Sequence, residues 1–153
     1  MAMFGKALGN GFAITAVIGK KEYMDFAQST FISSTFLTER SGPSAALKTL
    51  EIMEREKSWE RITETGKIIK NSWNELSKKT GLEIEQFGLE ALAGFNFISK
   101  NHLAYKTFLT QEMLKKGYLA SNLIYVSTEH NQEILEEYFT HLESIFNTCL
   151  LYT

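Results

Sequence analysis

The apolar spacing of this chain changes at Gly81, and that change limits its fold more than any other feature. Before it, Trp59, Ile62, Ile69, Trp73 and Leu76 recur at threes and fours with Gly66 in register, the stripe of one helix face. Gly81 stands where a helix C-terminal cap is expected. After it, Leu82 to Leu89 and Ala93 to Ser99 read as two strands joined by a short turn, the second with Phe95 and Phe97 on one face. Leu103 to Lys116 then reads as a helix ending at Gly117, and Leu123 to Val126 as a third strand. Thr128 is the expected cap of a last helix whose stripe is Ile134, Leu135, Tyr138, Phe139, Leu142, Ile145 and Phe146. Such an order implies a small antiparallel sheet with helices packed on it, an α+β arrangement.

The first half is less regular. Phe12 to Ile18 is an almost unbroken apolar run whose length and β-branched content suit a buried strand. Lys20 to Gln28 is expected to form a short helix, and the Ser- and Thr-rich stretch from Ser29 to Gly42 to form turns. Pro43 sits where a first helical residue is expected, because the N–H it lacks has no partner there. The helix that follows carries Ala46, Leu47, Leu50 and Met53 on one face.

The residues with chemical promise lie at the very start, in Phe4-Gly5-Lys6-Ala7-Leu8-Gly9-Asn10-Gly11. Glycine accepts a positive φ and lets a ligand or another backbone come close, so a lysine between glycines can be presented into a cleft. Two readings are open. Lys6 is a solvated residue of a surface loop, or it is a Schiff-base lysine whose amine is activated by burial or by a neighbouring cation. A phosphate loop is disfavoured, since the Gly-x-x-x-x-Gly-Lys-Ser/Thr order is absent.

This segment, followed by Ile14-Thr15-Ala16-Val17-Ile18-Gly19-Lys20-Lys21-Glu22-Tyr23-Met24-Asp25, resembles the pyridoxal-phosphate lysine region of the class III aminotransferases. Within them it looks most like the glutamate-1-semialdehyde 2,1-aminomutase branch. The usual pattern is Gly-Lys-x-x-Gly-Gly-Gly, and Asn10 stands here for the middle glycine. A second match is Ser33-Ser34-Thr35-Phe36-Leu37-Thr38-Glu39-Arg40-Ser41-Gly42-Pro43, followed by an alanine-rich helix. Gly117-Tyr118-Leu119-Ala120, followed by Ile124-Tyr125-Val126-Ser127-Thr128-Glu129-His130, resembles the branch's segment ending in Ser-x-x-His.

The resemblance implies a fold-type I enzyme that uses pyridoxal 5′-phosphate, with Lys6 forming the internal aldimine and moving the substrate proton. It also implies that Thr35, with Ser34 beside it, reaches the cofactor phosphate of the neighbouring subunit in a homodimer. Residues 1–42 would then end the cofactor-binding large domain, 43–81 would be connecting helices, and 82–153 the α+β small domain. The family's phosphate turn, its ring-stacking aromatic and its pyridine-pairing aspartate all precede the lysine. The chain is accordingly expected to be the carboxyl-terminal portion of a larger enzyme, weak or inactive by itself. A different class of function is a non-catalytic binding or assembly module in which Lys6 is vestigial.

His130 is a candidate catalytic group by its near-neutral pKa, with helix-start chemistry as the alternative. No arginine follows Arg61, which disfavours a carboxylate clamp from this region; the expected substrate is a small amino or keto compound. The 153 residues, 44% hydrophobic, suffice for one core or slightly more. A net charge of −2, with mixed charges between Glu51 and Arg61, gives no basic stripe for nucleic acid. No apolar run reaches the roughly 18 residues that a membrane span needs, and no secretory signal is expected. Cys149 is the single cysteine, so no internal disulfide forms and a cytoplasmic setting is expected; on an apolar helix face it reads as an inert buried thiol.

Overall fold

Gly66 and Trp73 show how the second half is assembled. In the computed structural model of the protein, which describes residues 1–151, both lie on the buried side of one long helix. The chain divides into two units, Met1–Ser58 and Trp59–Thr153.

In the second unit, α3 (Ser58–Thr80) turns Ile69, Trp73 and Leu76 into the core, with Trp73 fully buried. Trp59 departs from the expected stripe: in the first turn of α3, it is 47% exposed. Gly81 closes the helix as expected, with φ +79° and its N–H donating to the Ser77 carbonyl at 2.8 Å. The strands β3 (Ile84–Phe87) and β4 (Leu92–Phe97) form an antiparallel hairpin in which Ile84 faces Phe97 and Phe87 faces Gly94. After α4 (His102–Lys115), β5 (Leu123–Tyr125) pairs antiparallel with β4, giving the sheet order β3-β4-β5. The last element, α5 (Gln132–Leu150), buries Leu135, Tyr138, Leu142, Ile145 and Phe146 of the expected stripe. Ile134, at the margin of the stripe, stays 39% exposed.

The core lies between the sheet and the three helices. Phe95 sits edge-on to Trp73, with ring centres 4.9 Å apart, and to Phe97 at 5.3 Å, as two residues on the same face of β4 must. The Trp73 indole N–H donates to the Tyr138 hydroxyl at 3.3 Å, so the bulkiest buried side chain also has its polar atom satisfied. Burial pushes the Cys149 thiol up to about 11.

The cap of α5 differs from expectation. The carboxamide oxygen of Asn131 accepts from the Ile134 N–H at 3.0 Å, whereas Thr128 lies three residues earlier and its carbonyl accepts from the Arg61 guanidinium at 3.4 Å. Both residue types can cap, and the shorter approach to the helix wins.

In the first unit, the expected strand from Phe12 to Ile18 is cut to β2 (Ala16–Ile18). It pairs antiparallel with β1 (Ala2–Phe4), with Ala2 facing Ile18. Phe12 belongs instead to the turn that begins at Lys6, its N–H donating to the Gly9 carbonyl at 3.1 Å, and residues 13–15 take no regular structure. The helix expected over 20–28 is one α-helical turn, α1 (Lys21–Met24), running into a tighter turn over Asp25–Ser29. The helix α2 (Ser41–Glu56) starts two residues ahead of Pro43, which still falls in the first turn, where its missing N–H costs no bond. On its expected apolar face Ala46 is buried, but Leu47 and Leu50 are exposed. Lys57 ends α2 in the left-handed region, at φ +47°.

Candidate functional site

Lys6 occupies a strained position. Its φ is +49°, a left-handed conformation uncommon for residues with a Cβ and one that clusters at functional sites. A tight local web holds it there. The Leu8 N–H donates to the Gly5 carbonyl at 3.1 Å, and the Lys6 carbonyl accepts from both Gly9 at 3.2 Å and Asn10 at 3.1 Å. Gly9 is buried against the Phe12 carbonyl and the Ile14 side chain, so a Cβ there would overlap backbone. Asn10 and Gly11 are also left-handed, at φ +46° and +106°. The asparagine that replaces a glycine of the family pattern is thus among the few residue types with a side chain that accept this turn.

The turn wraps an open hollow of about 590 Å³, and among the described residues Lys6 is its one charged lining residue. Asn10 and Thr15 add a carboxamide and a hydroxyl, and Phe12 and Ile14 an apolar wall. Lys6 is exposed, so its side chain is reachable from solvent. An amine in a hollow with neutral polar neighbours is suited to meet a carbonyl compound that also bears anionic oxygens.

Ser34 and Thr35 do not line this hollow. The Ser34 hydroxyl accepts from the Phe36 N–H at 3.2 Å and so shapes a turn. Thr35 is exposed in that same turn. His130 lies just ahead of α5, and its Nδ1 accepts from the Ser127 N–H at 2.9 Å. A neutral ring in this bond carries its proton on Nε2. Helix-start geometry accounts for His130 without a substrate. A groove of about 720 Å³ between α3 and α5 escaped sequence reading, because its walls are the outer flanks of two stripes read as core: Ile68, Leu76, Leu135 and Phe139. Lys79 and Glu143 bridge it at 2.6 Å.

Comparison with known proteins decides what the lysine turn belongs to. The family described as Aminotransferase class-III matches residues 1–133. The chain belongs to the class-III aminotransferases. A 3-aminobutyryl-CoA aminotransferase of Cloacimonas acidaminovorans is 36% identical over 73% of the chain and 25% of its own length. A glutamate-1-semialdehyde 2,1-aminomutase of Methanosphaera stadtmanae is 26% identical over 94% of the chain and 38% of its own length. The fold matches the Sphingopyxis FumI protein, solved as its PLP internal aldimine form, with a TM-score of 0.88 and 22% identity. That match covers 97% of the chain and 36% of FumI. This class-III chain therefore spans between a quarter and two fifths of the length of these relatives. Its α+β architecture is that of part of a fold-type I transaminase. Among the described residues no helix is long and apolar enough to cross a membrane.

Proposed function

We propose that this chain carries the lysine-bearing part of a pyridoxal 5′-phosphate-dependent aminotransferase or aminomutase, and that Lys6 is its catalytic amine. The observation that carries the reading is the left-handed Lys6, held through its own carbonyl by two N–H groups and facing an open hollow. The hollow suits the cofactor chemically: one primary amine for an aldehyde, with neutral polar groups beside it. The cofactor, when bound, supplies an electron sink for a carbanion at the substrate carbon. Lys6 Nζ would hold the cofactor through its aldehyde and, when free, would take a proton from the substrate carbon and return it. Gly9 lets the backbone of the turn close against the Phe12 carbonyl, and Gly11 takes the positive φ that follows it.

Thr35 is proposed to hold a phosphate oxygen in a neighbouring subunit, with Ser34 as its support. Its exposed position outside the Lys6 hollow supports a role across an interface and not within one chain. The first unit also presents Phe26 and Phe31, 71% and 95% exposed, together with Phe12 and Ile32. So much uncovered apolar surface supports burial under more of the enzyme and under a second subunit of a homodimer. The substrate is proposed to be a small amino or keto compound, and the setting the cytoplasm. The chain alone is expected to turn over weakly or not at all.

The test is to mix the chain with pyridoxal 5′-phosphate, reduce with borohydride and map the modified lysine by peptide mass. Selective labelling of Lys6 is expected, and its loss in Lys6→Ala. Labelling scattered over the exposed lysines would refute the assignment.

A further inference from the structure

Asn10 holds a conformation that glycine adopts at no steric cost, yet it is not glycine. The ordinary reason for asparagine at a left-handed position is a bond from its own side chain to nearby backbone. Here the turn is closed by main-chain bonds alone. The Asn10 N–H goes to the Lys6 carbonyl, and among the described residues the Asn10 carboxamide has no hydrogen-bond partner. The residue lines the same hollow as Lys6. Backbone geometry thus ties positions 6 and 10 together, and a neutral donor and a cation share one concave surface.

We propose that Asn10 is a ligand-binding residue, whose carboxamide N–H donates to an anionic oxygen of the aldehyde-bearing ligand that Lys6 engages. This rests on the reading of Lys6 given above. A neutral donor fits the role: it stabilises an oxygen anion without adding a second positive charge that would compete with Lys6 for it. A carboxylate at the same position would keep the size and the tolerance of positive φ but would repel the anion.

The experiment titrates the full chain and its Asn10→Gly and Asn10→Asp variants with pyridoxal 5′-phosphate. It follows the absorbance of the bound chromophore and maps borohydride-fixed lysines, with circular dichroism to verify the fold. Asn10→Gly is expected to bind roughly tenfold more weakly, the scale of one hydrogen bond to a charged group, and Asn10→Asp more weakly still. A purely conformational role gives the opposite order, with glycine at least as good as asparagine and aspartate close to it. Repeating the titration with pyridoxal locates the oxygen. A parent-to-Asp gap that vanishes assigns the phosphate, and one that persists assigns the ring oxygen. Selective labelling of Lys6 with equal affinity in all three proteins overturns the role of Asn10 alone. Absence of selective labelling in the parent overturns the Lys6 site and the role of Asn10 with it.

Discussion

Replacing Gly66 with alanine tests whether the seat of α3 on the β3–β4 turn is as close as the structure makes it. In an open helix this change is stabilising by about 1 kcal/mol, since alanine is the better helix former. Here the new methyl would fall inside the van der Waals radius of the Glu90 carbonyl, a backbone group that cannot rotate away. One turn further on, Lys70 donates to the Gly88 carbonyl at 2.6 Å and lies 3.8 Å from the Glu90 carboxylate, so lifting the helix strains that contact too. Overpacking of this kind costs about 1–3 kcal/mol. A weakened bond from a charged donor costs about 1.5 kcal/mol. Against the propensity gain, the balance is a loss of about 2 kcal/mol, which corresponds to a melting temperature lower by roughly 8–16 °C for a domain of this size. Thermal and urea unfolding, followed by far-ultraviolet circular dichroism and by tryptophan emission, measure it. A Gly66→Ala protein as stable as its parent would refute the close approach, because propensity alone would then have decided the outcome.

Substitutions at four further positions probe the same unit. Trp73→Phe keeps most of the apolar volume but leaves the buried Tyr138 hydroxyl without its donor, so urea unfolding is expected to show a loss of about 1–3 kcal/mol, and Trp73→Ala about 3–5 kcal/mol. Asn131→Ala removes the α5 cap and is expected to cost about 1 kcal/mol, while Thr128→Ala costs far less; equal losses would return the cap to Thr128. The Cys149 thiol ionises near 9 when unfolded and at about 11 when buried, so unfolding between those values releases a proton and its contribution to stability, complete below pH 9, is lost as pH rises towards 11. Cys149→Ala should flatten the alkaline fall in melting temperature over that window, and a thiol reagent at neutral pH should react with the parent only as it unfolds.

The second unit was legible in its sequence because most residues of its apolar stripes are buried within it. Phe95 and Phe97 alternate as strand residues must, and Leu135, Tyr138, Leu142 and Phe146 repeat as a helix must, since each faces a surface that this same stretch provides. The first unit breaks the rule at the lysine turn. Phe12 to Thr15 have the composition of a strand, but the left-handed Asn10 and Gly11 redirect the backbone before a ladder can form. Leu47 and Leu50 have helical spacing without burial, because periodicity reports a face and not what covers it. The glycines around Lys6 single it out as a candidate in the sequence. The unbonded carboxamide of Asn10 is not legible there, because neither its φ nor its missing partner can be read from residue types.

The aromatic contacts that join β4 to α5 set an order on biosynthesis. Phe97 meets Phe146 with ring centres 5.4 Å apart, and Phe95 meets it at 5.9 Å, across nearly fifty residues of chain. A ribosome delivers the hairpin several seconds before α5, at roughly 5–20 residues per second. Through that interval the sides of Phe95 and Phe97 that Phe146 covers face water or a chaperone, and the fold closes only when α5 has cleared the exit tunnel.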